Sequence, residues 1–242
     1  MTMKRHFDED LQILRDELLR MGGLCEEMLR QAIELLVKRE ESLLGRVKAS
    51  EERVNQLHID IDEHVLRLIA LHQPAAGDLR LLAAALKINS DLERIGDQAV
   101  NIAESSMYLR RQPRLKLGDI PRMVELASDM VRESLDAFAR CDVELAQKVI
   151  AKDDEEDRLK SQTFNELLHL MQSDSSTIQR GMDIILIARN LERIADHATN
   201  IAEDVVFMVM GKDIRHGAGQ GPAEPEPGPA GPEQAEPPAP LP

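Results

Sequence analysis

The sequence predicts an all-α protein of two tandem, similar three-helix bundles, and three observations carry that prediction. Apolar residues recur at spacings of three and four from near the N-terminus to about Met210. Aromatic residues make up only 2% of the chain, with no Trp, so aliphatic side chains must fill the core, as helical packing allows. The stretch 92–104 returns ninety-nine positions later as 191–203, identical at ten of thirteen positions. A chain written twice is built twice.

The first predicted helix runs from about 6 to 38, with Leu11, Leu14, Leu18, Met21, Cys25, Met28, Ala32 and Leu36 along one face. Gly22-Gly23 interrupts it at a cost of ~1 kcal/mol per glycine. That pair marks a bend or a close helix contact rather than a break. A charged turn near Arg39–Glu41 leads to a second helix over 42–72, with Val47, Val54, Ile61, Val65 and Leu68 inward. Pro74 ends it, because proline disfavours helix in the residue before it. A third helix, 76–110, carries the first copy of the repeated stretch.

Residues 113–118 form a linker between the halves. Asp119 is placed to cap a fourth helix, with Pro121 tolerated in its first turn and an end near Arg140. Asp142 caps a fifth helix, which the pattern carries unbroken to about Gln172. Ser173–Ser176 is turn chemistry, and a sixth helix holds the second copy of the stretch to about Met210. The domains are therefore 1–112 and 119–216. Residues 217–242 hold nine of the twelve prolines, five glycines and four glutamates, a composition that predicts a disordered tail.

Charge and cysteine usage narrow the function. A net charge of −14 argues against nucleic acid as a main partner and suits cations or a basic protein surface. Cys25 and Cys141 lie far apart with no Cys-x-x-Cys, and read as reduced core residues of a cytoplasmic protein. No signal segment opens the chain and no apolar run reaches the ~20 residues of a membrane span. There is no Gly-rich phosphate loop, nucleophile elbow or Cys/His metal pattern. Nothing reads as a nucleophile, so no catalytic residue is assigned and the chain is not expected to be an enzyme.

The repeated stretch does carry chemistry. Each copy holds Glu-x-x-x-Asp with Asn four residues on: Glu93, Asp97 and Asn101, then Glu192, Asp196 and Asn200. That spacing puts the three side chains on one helix face. Antiparallel helices joined by a tight turn bring residues level at equal distance from the turn. With the turn at Pro74, Asn55 faces Glu93 and Glu51 faces Asp97. With the turn at Asp174-Ser175, Asp157 faces Glu192 and Asp153 faces Asp196. Carboxylates so gathered repel one another and raise their pKa values, and a divalent or trivalent cation relieves the repulsion. Oxygen-rich sets suit Mg, Ca and Mn, and carboxylate-bridged clusters can hold iron. The candidate metal residues are thus Glu51, Asn55, Glu93 and Asp97 in the first half, and Asp153, Asp157, Glu192 and Asp196 in the second. Asn101 and Asn200 could extend or orient the sets.

Plainer explanations stand beside this one. The acids could be solvated helix faces paired within their helices to Arg94 and Arg193. Glu166-x-x-His169 is a single copy of a motif that di-iron bundles need twice. His197 is matched by Gln98 in the first half, so a role common to both halves excludes it. His58, His64 and His72 line no constellation and read as surface groups.

The paired stretches Leu92–Glu104 and Leu191–Glu203 resemble the PhoU family of phosphate-transport accessory proteins. So do Gln73-Pro74-Ala75-Ala76-Gly77-Asp78-Leu79-Arg80, Met21-Gly22-Gly23 and Gly211–His216, and the likeness covers about residues 5–216. The resemblance implies a cytoplasmic homodimer that negatively regulates phosphate uptake and the phosphate-starvation response. It would act between the phosphate ABC transporter, at its ATPase subunit, and a phosphate sensor histidine kinase. It also implies iron or zinc clusters held by the paired acidic motifs at the eight positions above. Asn55 departs from the all-acidic pattern, so the first set should bind more weakly. Two readings compete with the regulatory adaptor: a metal-dependent enzyme on a helical bundle, and a metal-independent helical scaffold.

Overall fold

The computed structural model describes residues 2–113 and 117–215, and the regular structure among them is entirely helical. Seven α-helices follow in order: α1 (Thr2–Lys38), α2 (Ser42–His72), α3 (Ala76–Arg110), α4 (Ile120–Arg140), α5 (Val143–Ile150), α6 (Asp153–Ser173) and α7 (Ile178–Met210). A single 3-10 turn, Ser175–Thr177, precedes α7. Residues 114–116 of the expected linker and the whole expected tail lie outside the described residues.

The two helices that carry the repeated stretch, α3 and α7, form the centre and share the most extensive helix contact. Helices α1 and α2 complete a three-helix bundle on α3. Helix α4 and the α5–α6 pair complete the second on α7, and α1 touches α4 across the seam. The core is aliphatic, built on residues such as Leu14, Leu18, Met28, Ile88, Leu92, Ile187 and Ile194, with Phe138 its largest fully buried side chain. Burying each such side chain supplies about 1.5–3 kcal/mol, which is what holds two thin bundles together.

The helix ends follow local chemistry. Gln73, at φ 46°, takes a left-handed turn ahead of Pro74 and donates its N–H to the carbonyl of Ile69. Gly211, at φ 70°, ends α7 the same way on Phe207. Asp142 caps α5 by accepting from the N–H of Leu145 at 3.0 Å. Asp119 makes no such bond, although Pro121 does lie in the first turn of α4. At Gly22, α1 runs on unbroken and a Cβ would stand 2.6 Å from Leu135 of α4. The glycine marks a close helix contact, not a bend.

The expected single helix over 142–172 is instead two, broken at Ala151-Lys152. The break turns Asp153, Asp154, Glu155 and Glu156 into the first turn of a new helix. Four acids in mid-helix would repel one another. At an N-terminus they meet unpaired N–H groups and the positive end of the helix dipole.

Two smaller expectations also change. Cys25 is buried, donates to the carbonyl of Leu92 at 3.1 Å, and burial followed by the charge of Glu26 pushes its thiol up to about 12. Cys141 is exposed, at the left-handed end of α4, so it is not a core residue. His64 is not a surface group either: it is buried, with Nδ1 2.7 Å from Glu17 of α1. Among the described residues no helix is long and apolar enough to cross a membrane.

Candidate functional site: two acidic hairpin faces

The α2–α3 hairpin carries the first acidic face. Glu51 is half-buried, and desolvation followed by the charge of Asp97 holds its carboxyl above the usual range. Glu93 and Asp97 share one guanidinium: Arg94 lies 3.4 Å from Glu93 and 3.6 Å from Asp97. Asn55 is exposed. Beneath this face Val54 is buried in the core and lies against Gly96, where a Cβ would meet it at an ordinary contact distance of 3.4 Å.

The α6–α7 hairpin carries the second face, and it is arranged differently. Lys160 reaches from α6 and donates to Asp157 at 2.6 Å and to Glu192 at 2.7 Å. Burial works against its charge, but those two carboxylates outweigh it and hold the ammonium above lysine's ordinary value. Asp153 accepts from Thr199 at 3.2 Å, and its carboxyl is raised chiefly by desolvation. Desolvation, then the charges of Glu192, Asp153 and Asp157, push Asp196 up to about 6. Asp153 and Asp196 line a cavity of about 330 Å³ together with Thr199, Asn200, Glu203 and Arg215.

Glu156 is the residue that sequence reasoning missed. It is 1% exposed, and neither carboxyl oxygen has a hydrogen-bond partner. Burial, then the charges of Glu192 and Asp153, push it up to about 8, so it is largely protonated at neutral pH. Its counterpart in the repeat is Val54, equally buried. The alignment of 51–57 with 153–159 held the signal: an acid stands where the other copy needs a core valine.

The expected pairing of Arg94 within its helix is present, whereas Arg193 forms no ion pair among the described residues. Asn200 donates to Asp91 of α3 at 3.3 Å, and His197 Nδ1 lies 2.9 Å from the same carboxylate. Asn101 is exposed and lines a different cleft. Glu166 and His169 are both exposed, and Glu166 accepts from Gln162 of its own helix. From beyond the end of α7, Arg215 pairs with Asp204 of that helix, a 1% exposed carboxylate that burial raises to about 6 against the pull of Arg215 and Lys87.

Oxygen donors, incomplete neutralisation and a buried carboxyl without partners make the second face chemically suited to a hard cation. As the side chains lie, no three His, Cys, Asp or Glu groups among the described residues converge to hold one. Lys160 takes that place between Asp157 and Glu192.

Residues 18–106 and 120–205 each match the family model of the PhoU domain. The phosphate-specific transport system accessory protein PhoU homolog of Pseudomonas putida is 38% identical over 216 residues, spanning 88% of this chain and 84% of that protein. The homolog of Caulobacter vibrioides is also 38% identical, over 87% of this chain and 92% of its own. The crystal structure of PhoU from Pseudomonas aeruginosa superposes with a TM-score of 0.83 at 38% identity, over 85% of this chain and all of that one. The phosphate transport system regulatory protein PhoU from Streptococcus pneumoniae follows at 0.80 and 28% identity, over 86% and 99%.

Proposed function

Because this chain belongs to the PhoU family, we propose that it is a non-enzymatic accessory protein that restrains phosphate uptake and the phosphate-starvation response. It would work in the cytoplasm as a homodimer, docking between the ATPase subunit of a phosphate ABC transporter and a phosphate sensor histidine kinase. The likeness to named accessory proteins across nearly the whole helical region supports the regulatory role. The acidic composition supports a basic partner surface or cation bridging.

A cation at the acidic faces would tune that docking. The carrying observation is the buried, partnerless Glu156 beside Asp153 and Glu192. Asp153, Asp157, Glu192 and Asp196 would hold the cation once Lys160, a flexible point charge, swings out to water. Glu51, Glu93 and Asp97 with Asn55 would form the weaker site. A hard divalent ion would supply charge neutralisation and fix the spacing of α6 and α7. Lys160 itself supports a second reading, a metal-independent scaffold, since it already bridges Asp157 and Glu192.

The test is a pull-down with the full chain from phosphate-replete cells of its own host. Recovery of the transporter ATPase or the sensor kinase is expected. Neither being recovered, together with unchanged phosphate uptake in a deletion strain, contradicts the adaptor reading. Metal-stripped protein that still restrains uptake would favour the scaffold.

A further inference from the structure

The α3–α7 seam has two ends related by the repeat, and they carry different charged residues. At one end Asp91 and Asp204 are the buried or half-buried acids, answered by Lys87, His197 and Arg215. At the other end the repeat places Asn190 where Asp91 stands, Ser105 where Asp204 stands, and Arg189 where Ser90 stands. Arg193 corresponds to Arg94. The substitutions remove both acids; Arg189 is gained, while Lys87 is matched by Leu186 and His197 by Gln98.

Arg189 and Arg193 sit one turn apart on α7, which puts both guanidinium groups on one face. They line a cleft of about 280 Å³ with Asn101, Ser105 and Tyr108 of α3. Neither arginine forms an ion pair or hydrogen bond among the described residues. That is unexpected on charge grounds, since 44 Asp and Glu are available to 30 Lys and Arg. The cleft's one carboxylate, Glu104, is taken by Lys48 at 2.7 Å. The Asn190 amide is spent on the carbonyl of Leu186 at 2.7 Å. What lines the cleft is therefore two unpaired guanidinium groups, the Glu104 carboxylate neutralised by Lys48, and three neutral side chains able to donate: the Asn101 amide and the Ser105 and Tyr108 hydroxyls. Guanidinium pairs with neutral donors beside them are the chemistry that recognises tetrahedral oxyanions.

We propose that this cleft binds a phosphoryl dianion, held by Arg189 and Arg193 and oriented by Asn101, Ser105 and Tyr108. The preference for phosphate over other oxyanions rests on the regulatory reading above, while the site rests on the side chains alone. Inorganic phosphate and a phosphorylated side chain of a partner share this chemistry, so the two are tested separately.

Inorganic phosphate and O-phosphoserine are titrated into the purified full chain and followed by calorimetry and amide chemical shifts, with sulfate as a competitor. Saturable binding of at least one phosphate species is expected, with shifts at Ser105, Arg189 and Arg193. Arg189→Gln and Arg193→Gln should each weaken it about tenfold, one lost charge-assisted hydrogen-bonding group apiece. Asn190→Asp, which restores the acid of the opposite end, should abolish it, and Arg94→Gln should leave it unchanged. Circular dichroism and melting confirm that each variant is folded. No saturable binding at millimolar ligand, or equal binding by the double variant Arg189→Gln/Arg193→Gln, overturns the proposal. The regulatory reading fails on a different result, loss of partner recovery in the pull-down.

Discussion

The two acidic hairpins descend from one repeated pattern, yet they solve the same electrostatic problem in different ways. In the α2–α3 hairpin the acids sit over an apolar floor, Val54, and one guanidinium from their own helix, Arg94, serves both Glu93 and Asp97. In the α6–α7 hairpin the floor is itself an acid, Glu156. The counter-charge comes across the helix gap from Lys160, and Arg193 takes no part. A repeated motif fixes where carboxylates sit. The residue beneath them and the origin of the counter-charge set how fully the face is neutralised.

The comparison breaks most forcefully by exchanging the floors. Val54→Glu puts a carboxyl among Met28, Gly96 and the α2–α3 contact with no partner, and should cost about 4 kcal/mol in urea unfolding. Next, Arg215→Ala leaves Asp204 buried with only Lys87 at 3.5 Å, and should cost about 3 kcal/mol. The reciprocal change Glu156→Val gives the second hairpin the floor of the first, and should stabilise the protein by about 1–2 kcal/mol at pH 8. If Glu156→Val destabilises at every pH, the buried acid is better satisfied than its surroundings show.

The pH dependence has a definite sign. Glu156 binds its proton more tightly folded, at about 8, than unfolded, near 4.5. Its contribution to stability is therefore full below about 4.5 and lost as pH rises through 8. Asp196 and Asp204 act in the same sense between about 4 and 6. Stability measured from pH 5 to 9 should fall more steeply in the parent than in Glu156→Gln. The smallest effect is at Lys160, which is about one-third exposed on its side chain. Lys160→Gln should change stability by less than about 1 kcal/mol and tighten cation binding at the second face.

Much of this was legible in sequence, and the failures have physical causes. Apolar spacing located α1 to α4 and α7 because those stripes are long. It overran the break at Ala151-Lys152, since the apolar period continues through it and only the four-acid run betrays a new N-terminus. The register of the second hairpin followed from its turn: Lys160 spans Asp157 and Glu192, and Asp153 lines one cavity with Asp196. The direction of Lys160 and Arg193 did not follow, because long cations choose partners in three dimensions. His64 looked like a surface group because its partner, Glu17, lies forty-seven residues away.

The central claim is that the two faces differ in cation affinity, the second binding more tightly. Manganese titrated into metal-stripped full chain, with bound metal counted by elemental analysis, tests it directly. The pair Glu192→Ala/Asp196→Ala should remove the tighter-bound metal, while Glu93→Ala/Asp97→Ala should keep it. Loss from the first-face variant alone, or metal content unchanged in both, would contradict the account.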